Sequence, residues 1–174
     1  MAFHKILVPY DSSEASDKAL SNALKIAKMS NESERIHKQG DVITIIILLH
    51  ILQEIPVPPS FGGTTLRKLS EKTGETITFR EYLNEVYQEM TASANKMLDQ
   101  KTREHTINIT NVEIKPKVTI GLPADKIMEM AIEENVDLIV MGNVGLSRFS
   151  KLKALGSVSR NVSERAKCPV MLVR

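Results

Sequence analysis

Five short apolar runs, Lys5 to Val8, Val42 to Leu49, Val112 to Thr119, Asp137 to Met141 and Val170 to Val173, recur along the chain with helical patterns between them. That alternation specifies a parallel sheet with helices on both faces, because each parallel strand must be reached by a crossover that packs back onto the sheet. The second and fourth runs are almost continuously apolar, which places them inside the sheet. At 174 residues the chain suits one domain spanning 1–174, with a single core.

The connecting segments carry the helices. Ala15, Ala19, Ala23, Leu24 and Ala27 recur at helical spacing after Ser12 and Ser13, which are favoured N-cap residues. A longer stripe is formed by Leu83, Val86, Tyr87, Met90, Ala94, Met97 and Leu98, and a third by Ile127, Met128, Ala131 and Ile132 after Pro123, a favoured first-turn residue. Val158, Val162 and Ala166 mark a last helix. The methionines in these stripes read as core filler. Asn31 to Asp41 reads as a polar linker with a solvated surface. Residues 53 to 80 follow neither period and contain Pro56, Pro58, Pro59, Gly62, Gly63 and Gly74, so they are predicted to form a long loop or lid, functional or disordered.

Composition narrows the function. A formal net charge of +2 with scattered basic residues argues against nucleic acid as a partner. No apolar run reaches the roughly 20 residues needed to span a bilayer, and the start does not follow a signal-peptide plan, so a cytoplasmic protein is expected. One cysteine, Cys168, precludes an intrachain disulfide and reads as a small packed side chain. His4, His37, His50 and His105 lack metal-ligand spacing, so no metal site is expected. There is no G-x-x-x-x-G-K-[ST] loop, no G-x-G-x-x-G after the first strand and no G-x-S-x-G.

Two segments carry chemistry. Asp137-Leu138-Ile139-Val140-Met141-Gly142-Asn143-Val144-Gly145 is a buried strand followed by glycines, which let the backbone turn tightly and approach a ligand. After ten intervening residues, Gly156-Ser157-Val158-Ser159 opens the last helix. A helix N-terminus offers unpaired N–H groups and partial positive charge, so the segment reads as a phosphate cradle with the Ser157 and Ser159 hydroxyls as extra donors. The other segment is Val8-Pro9-Tyr10-Asp11-Ser12-Ser13 at the end of the first strand. Asp11 there is either an acceptor for ribose hydroxyls at the carboxyl edge of the sheet or simply a cap or turn residue before the following helix.

These residues resemble the universal stress protein family in its nucleotide-binding type. Pro9-Tyr10-Asp11-Ser12-Ser13 matches its P-x-D-x-S strand end. Gly142, Gly145, Gly156 and Ser157 match its G-x-x-G, nine residues, then G-S or G-T signature, with ten residues here in place of nine. Leu49-His50-Ile51, Gly121-Leu122-Pro123 and the ending Cys168 to Val173 extend the likeness to nearly the whole chain outside 53–80.

The resemblance implies an open five-stranded parallel sheet of order 3-2-1-4-5, Rossmann-like and akin to the adenine nucleotide alpha hydrolases. It implies a bound ATP or AMP, with Asp11 on the ribose and as the one candidate to meet Mg²⁺ through the nucleotide. Ile51 and the Pro9-Tyr10 backbone would border the adenine, Met141 and Gly142 would line the floor, and Gly145, Gly156, Ser157, Val158 and Ser159 would bind the phosphates. Arg148, Lys151 and Lys153 either add positive charge near the phosphates or form solvated surface. A homodimer through Val170 to Val173 is also implied. The expected function is a stress-response regulator that binds an adenine nucleotide. Its rivals are a slow ATPase or self-phosphorylating protein using Ser157 or Ser159, and an interaction module without nucleotide.

Overall fold

The computed structural model describes residues 2–37, 43–57, 68–69, 74, 76–106, 110–145 and 155–174. Along the chain run β1 (Lys5–Pro9), α1 (Glu14–His37), β2 (Thr44–Leu52), β3 (Lys68–Leu69), β4 (Thr76–Ile77), α2 (Phe79–Thr106), β5 (Val112–Ile120), α3 (Pro123–Glu133), β6 (Leu138–Gly142), α4 (Ser157–Arg165) and β7 (Val170–Val173). Five strands form one sheet in the order β5-β2-β1-β6-β7, every pairing parallel. Counting the long strands in chain order, this is the expected 3-2-1-4-5.

Burial explains the order. β1, β2 and β6 have neighbours on both edges and are the apolar runs: Ile6, Leu7, Val8, Ile46, Leu48, Leu49, Ile139 and Val140 are all fully buried. β5 is an edge strand, and it accommodates Pro116, whose missing N–H would break a ladder in the sheet interior. One face of the sheet packs on α1 and α2 through Ala19, Leu20, Ala23, Ala27 and Leu98. The other packs on α3 and α4 through Ile127, Met128, Ala131 and Val162. At the amino edge, the Asp137 carboxylate accepts the backbone N–H of His4 at 2.9 Å and of Lys5 at 3.2 Å, tying β1 to β6 at the end remote from the glycines.

Several expected boundaries move. α1 does not stop at Asn31 but runs to His37. Asn31 is buried rather than solvated: its amide donates to the Asn111 carbonyl and its Oδ1 accepts the Thr44 hydroxyl at 2.8 Å, so a tertiary anchor extends the helix. β2 begins at Thr44 and runs to Leu52, three residues past the expected end, because β5 supplies a partner as far as Ile120; Val42 lies outside the described residues. Ile132 leaves the core stripe of α3 and is 56% exposed. Where a loop is predicted over 53–80, the described residues include the antiparallel pair β3–β4, and α2 begins at Phe79. Thr78 and Glu81 form a reciprocal cap there. The Thr78 N–H donates to Glu81 Oε2 at 2.7 Å and the Glu81 N–H donates to Thr78 Oγ1 at 3.3 Å, which fixes the start of the helix.

Candidate functional site

At the carboxyl edge the chain leaves β1 toward α1 and leaves β6 toward α4, so the two connections diverge to opposite faces. Such a switch point opens a crevice in parallel sheets of this kind. Here it is a cleft of about 480 Å³. Pro9, Tyr10, Asp11, Ile51, Met141, Gly142, Gly145, Gly156, Ser157, Val158 and Ser159, all singled out from sequence, line it together. Arg148, Lys151 and Lys153 lie outside the described residues.

On one wall, Asp11 follows β1. Its Oδ1 accepts the Ser13 N–H at 3.0 Å across Ser12, which holds a left-handed φ of 65°. The Ser13 hydroxyl in turn accepts the Ser16 N–H at 3.2 Å, so Ser13 caps α1. The two readings of Asp11 are therefore compatible: one oxygen holds the turn, while Oδ2 lies 2.7 Å from the point a Cβ on Gly145 would occupy.

The opposite wall is the start of α4. Its N-cap is Gly156, no side chain among the described residues caps it, and first-turn N–H groups have no intrahelical acceptors. The Gly156 N–H and the Ser159 hydroxyl both donate to the Asn143 carbonyl, each at 2.7 Å. Ser159 is 2% exposed, so its hydroxyl proton is committed to the backbone, and what it can offer an anion is its main-chain N–H. Ser157 carries the exposed hydroxyl of this turn.

The glycines differ in what they allow. Neither Gly142 nor Gly145 takes a positive φ, so neither is needed for an otherwise forbidden turn. A Cβ on Gly142 would lie 2.8 Å from the Ala15 Cβ; its bareness lets α1 approach β6. Only at Gly145 does the space belong to the cleft's own carboxylate.

Leu49, Pro123, Ile127 and Val144 add apolar lining, and Ser13, Ser16, His50 and Gln53 add polar groups. Leu49 was legible as the same-face neighbour of Ile51 two positions on, Ile127 as part of the core stripe and Ser13 as a helix cap; Gln53 and Ser16 carried no signal. His50 Nδ1 lies 2.8 Å from the Tyr10 carbonyl. A carbonyl only accepts, so Nδ1 carries the proton.

Behind the Asp11 wall lies a charged cluster. The Tyr10 hydroxyl donates to Asp17 Oδ1 at 2.8 Å, and Lys101 Nζ on α2 sits 3.1 Å from the same oxygen and 5.9 Å from the centre of the Tyr10 ring. Burial and the bond to Asp17 push the Tyr10 phenol up. Burial opposes ionisation of Asp17, but the hydrogen bonds from Tyr10 and Lys101 outweigh it and hold the carboxyl below its ordinary range. The bond to Asp17 holds Lys101 firmly protonated. Cys168, half-buried among apolar neighbours, has its thiol pushed up by burial, which disfavours the reactive thiolate. Among the described residues, no three His, Cys, Asp or Glu side chains converge as a metal site, and no helix is long and apolar enough to cross a membrane.

Comparison with known proteins places this geometry. A profile of the Universal stress protein family matches residues 44–174. Universal stress protein Rv1636 of Mycobacterium tuberculosis is 47% identical over 75 residues, 43% of this chain and 49% of that protein, so the match spans about half of the relative's length. The solved structure of universal stress protein UspA from Lactobacillus plantarum superposes with a TM-score of 0.74 at 22% identity, covering 100% of this chain and 99% of that one. A universal stress protein solved in complex with cAMP is 25% identical, with a TM-score of 0.55 over 100% of this chain and 98% of its own. The profile takes in well over half of the sequence, and the strand order and the glycine-flanked cleft agree with it: the chain belongs to the universal stress protein family.

Proposed function

We propose that the cleft binds an adenine nucleotide, AMP or ATP, the latter as its Mg²⁺ complex, and that the protein is a cytoplasmic stress-response regulator that reports nucleotide occupancy. The observation that carries this reading is the pairing of a carboxylate and an uncapped helix N-terminus on facing walls of one cleft. Asp11 is suited to accept from two ribose hydroxyls, and the first-turn N–H groups of α4 to donate to phosphate oxygens, where the helix dipole adds favourable field. Ile51, Leu49, Met141 and Ile127 supply an apolar slot for a flat base. The volume lies within the range of small-ligand sites. The related universal stress protein solved with cAMP supports the choice of an adenine nucleotide. Regulation is favoured over turnover because the Ser159 hydroxyl proton is already engaged and phosphoryl transfer needs a positioned nucleophile with charge neutralisation.

Calorimetric titration with AMP, ATP and cAMP, with and without Mg²⁺, tests the reading. Micromolar binding of AMP or ATP is expected, with ATP unchanged in composition after an hour. Absence of binding to all three would overturn it in favour of an interaction module, and steady release of ADP lost in Ser157→Ala would replace regulation with catalysis.

The same reading includes a homodimer through β7. That strand ends the sheet beside β6, and Met171 is 39% exposed on an otherwise apolar edge, a ready template for strand pairing. Sedimentation at micromolar concentration is expected to show a dimer that Met171→Lys, a charge on the exposed edge strand, converts to monomer. A wild-type monomer would remove this part of the reading.

A further inference from the structure

We infer that the side chains of Tyr10, Asp17 and Lys101 form a positioning cluster through which α2 sets the direction of the Asp11 carboxylate, making them determinants of ribose recognition that act through Asp11. This deepens the nucleotide reading and rests on it.

Tyr10 is held on every side. Its N–H donates to the Leu49 carbonyl at 2.8 Å, its own carbonyl accepts from His50, and its hydroxyl donates to Asp17. The peptide that follows is that of Asp11, so the orientation of Tyr10 fixes where the carboxylate begins. Lys101 completes the chain from α2, with a side chain only 23% exposed. One turn earlier on the same helix, Met97 Sδ accepts the Ser12 hydroxyl at 2.8 Å. Residues 97 and 101 share a face of α2. That face therefore grips the turn both before and after Asp11.

Such a cluster is a poor device for stability. Desolvating a lysine and an aspartate offsets much of their attraction, and pairs of this kind contribute little net free energy while restricting geometry. The geometry restricted here is that of the carboxylate in the cleft, whose Oδ1 is tied to Ser13 and whose Oδ2 faces Gly145.

The test compares AMP with 2′,3′-dideoxy-AMP, which lacks the hydroxyls Asp11 would hold, on wild type, Tyr10→Phe, Lys101→Met and Lys101→Arg. Wild type is expected to prefer AMP. Tyr10→Phe and Lys101→Met are expected to weaken AMP about tenfold, the scale of one well-aligned hydrogen bond, while dideoxy-AMP binding moves less than about twofold. Lys101→Arg, which still reaches Asp17, is expected to restore AMP affinity. In the free proteins, the Asp11 and Gly145 amide resonances are expected to shift in Lys101→Met and return in Lys101→Arg. Equal losses for both ligands, or no loss for AMP, would overturn the cluster's role while leaving nucleotide binding standing. A wild type that binds neither ligand would instead overturn the nucleotide reading, and the inference with it.

Discussion

Gly142→Leu is expected to lower the thermal midpoint by at least roughly 6 °C, reflecting about 3 kcal/mol or more of overpacking. A Cβ alone would sit 2.8 Å from the Ala15 Cβ and 3.1 Å from its carbonyl carbon, and the latter is backbone that cannot rotate away. The remaining leucine atoms would have to lever α1 off β6 or turn into the cleft. Ala19, Leu20 and Ala23 on the same helix are fully buried, so a shift of α1 spreads into the core. Circular dichroism against temperature checks the expectation. An unchanged midpoint would mean that α1 retreats freely and that the close approach is incidental. Loss of ligand in this variant therefore says nothing specific about the cleft.

Gly145→Ala separates site from fold. Gly145 has an ordinary backbone angle, and among the described residues its missing Cβ meets no backbone, only the Asp11 carboxyl group, with Oδ2 at 2.7 Å. A methyl group there forces the carboxylate to swing, and the midpoint is expected to change by less than about 2 °C, since the group displaced is a side-chain end. AMP affinity is expected to fall about 10- to 100-fold, the range for losing charge-assisted hydrogen bonds. Asp11→Ala is expected to cost as much, and the double variant no more than either single one, because both remove the same contacts. Additive losses would show that Gly145 meets the ligand independently of Asp11.

The β-branched runs led directly to the strands because burial on both faces leaves little freedom in composition: Ile6, Leu7 and Val8 can only be interior. The cleft was legible for a related reason. Pro9 to Asp11 and Met141 to Gly145 follow adjacent strands, so knowing the strand order places them together. What failed was tertiary. Asn31 looks like linker until Asn111 and Thr44, distant in sequence, arrive to pair with it. Thr78 and Glu81 did spell a helix start, but the prolines and glycines just before them masked it. The role of Gly142 was invisible because its neighbour, Ala15, belongs to another element. Likewise Tyr10 reads as a variable position inside a motif, and only the approach of Lys101 from α2 gives its hydroxyl a task.

The Asn143 carbonyl, which receives both Gly156 and Ser159, bears on what a change of chain length between Gly145 and Gly156 would cost this fold. The two hydrogen bonds act as a staple across the base of the intervening stretch, so its ends are registered at Asn143 and Gly156 whatever lies between. Lengthening such a closed stretch from nine to ten residues costs only about 0.1 kcal/mol in closure entropy. One residue more in that stretch is therefore a small term beside the two hydrogen bonds that hold the start of α4. The staple, rather than the number of residues it closes, sets where α4 starts.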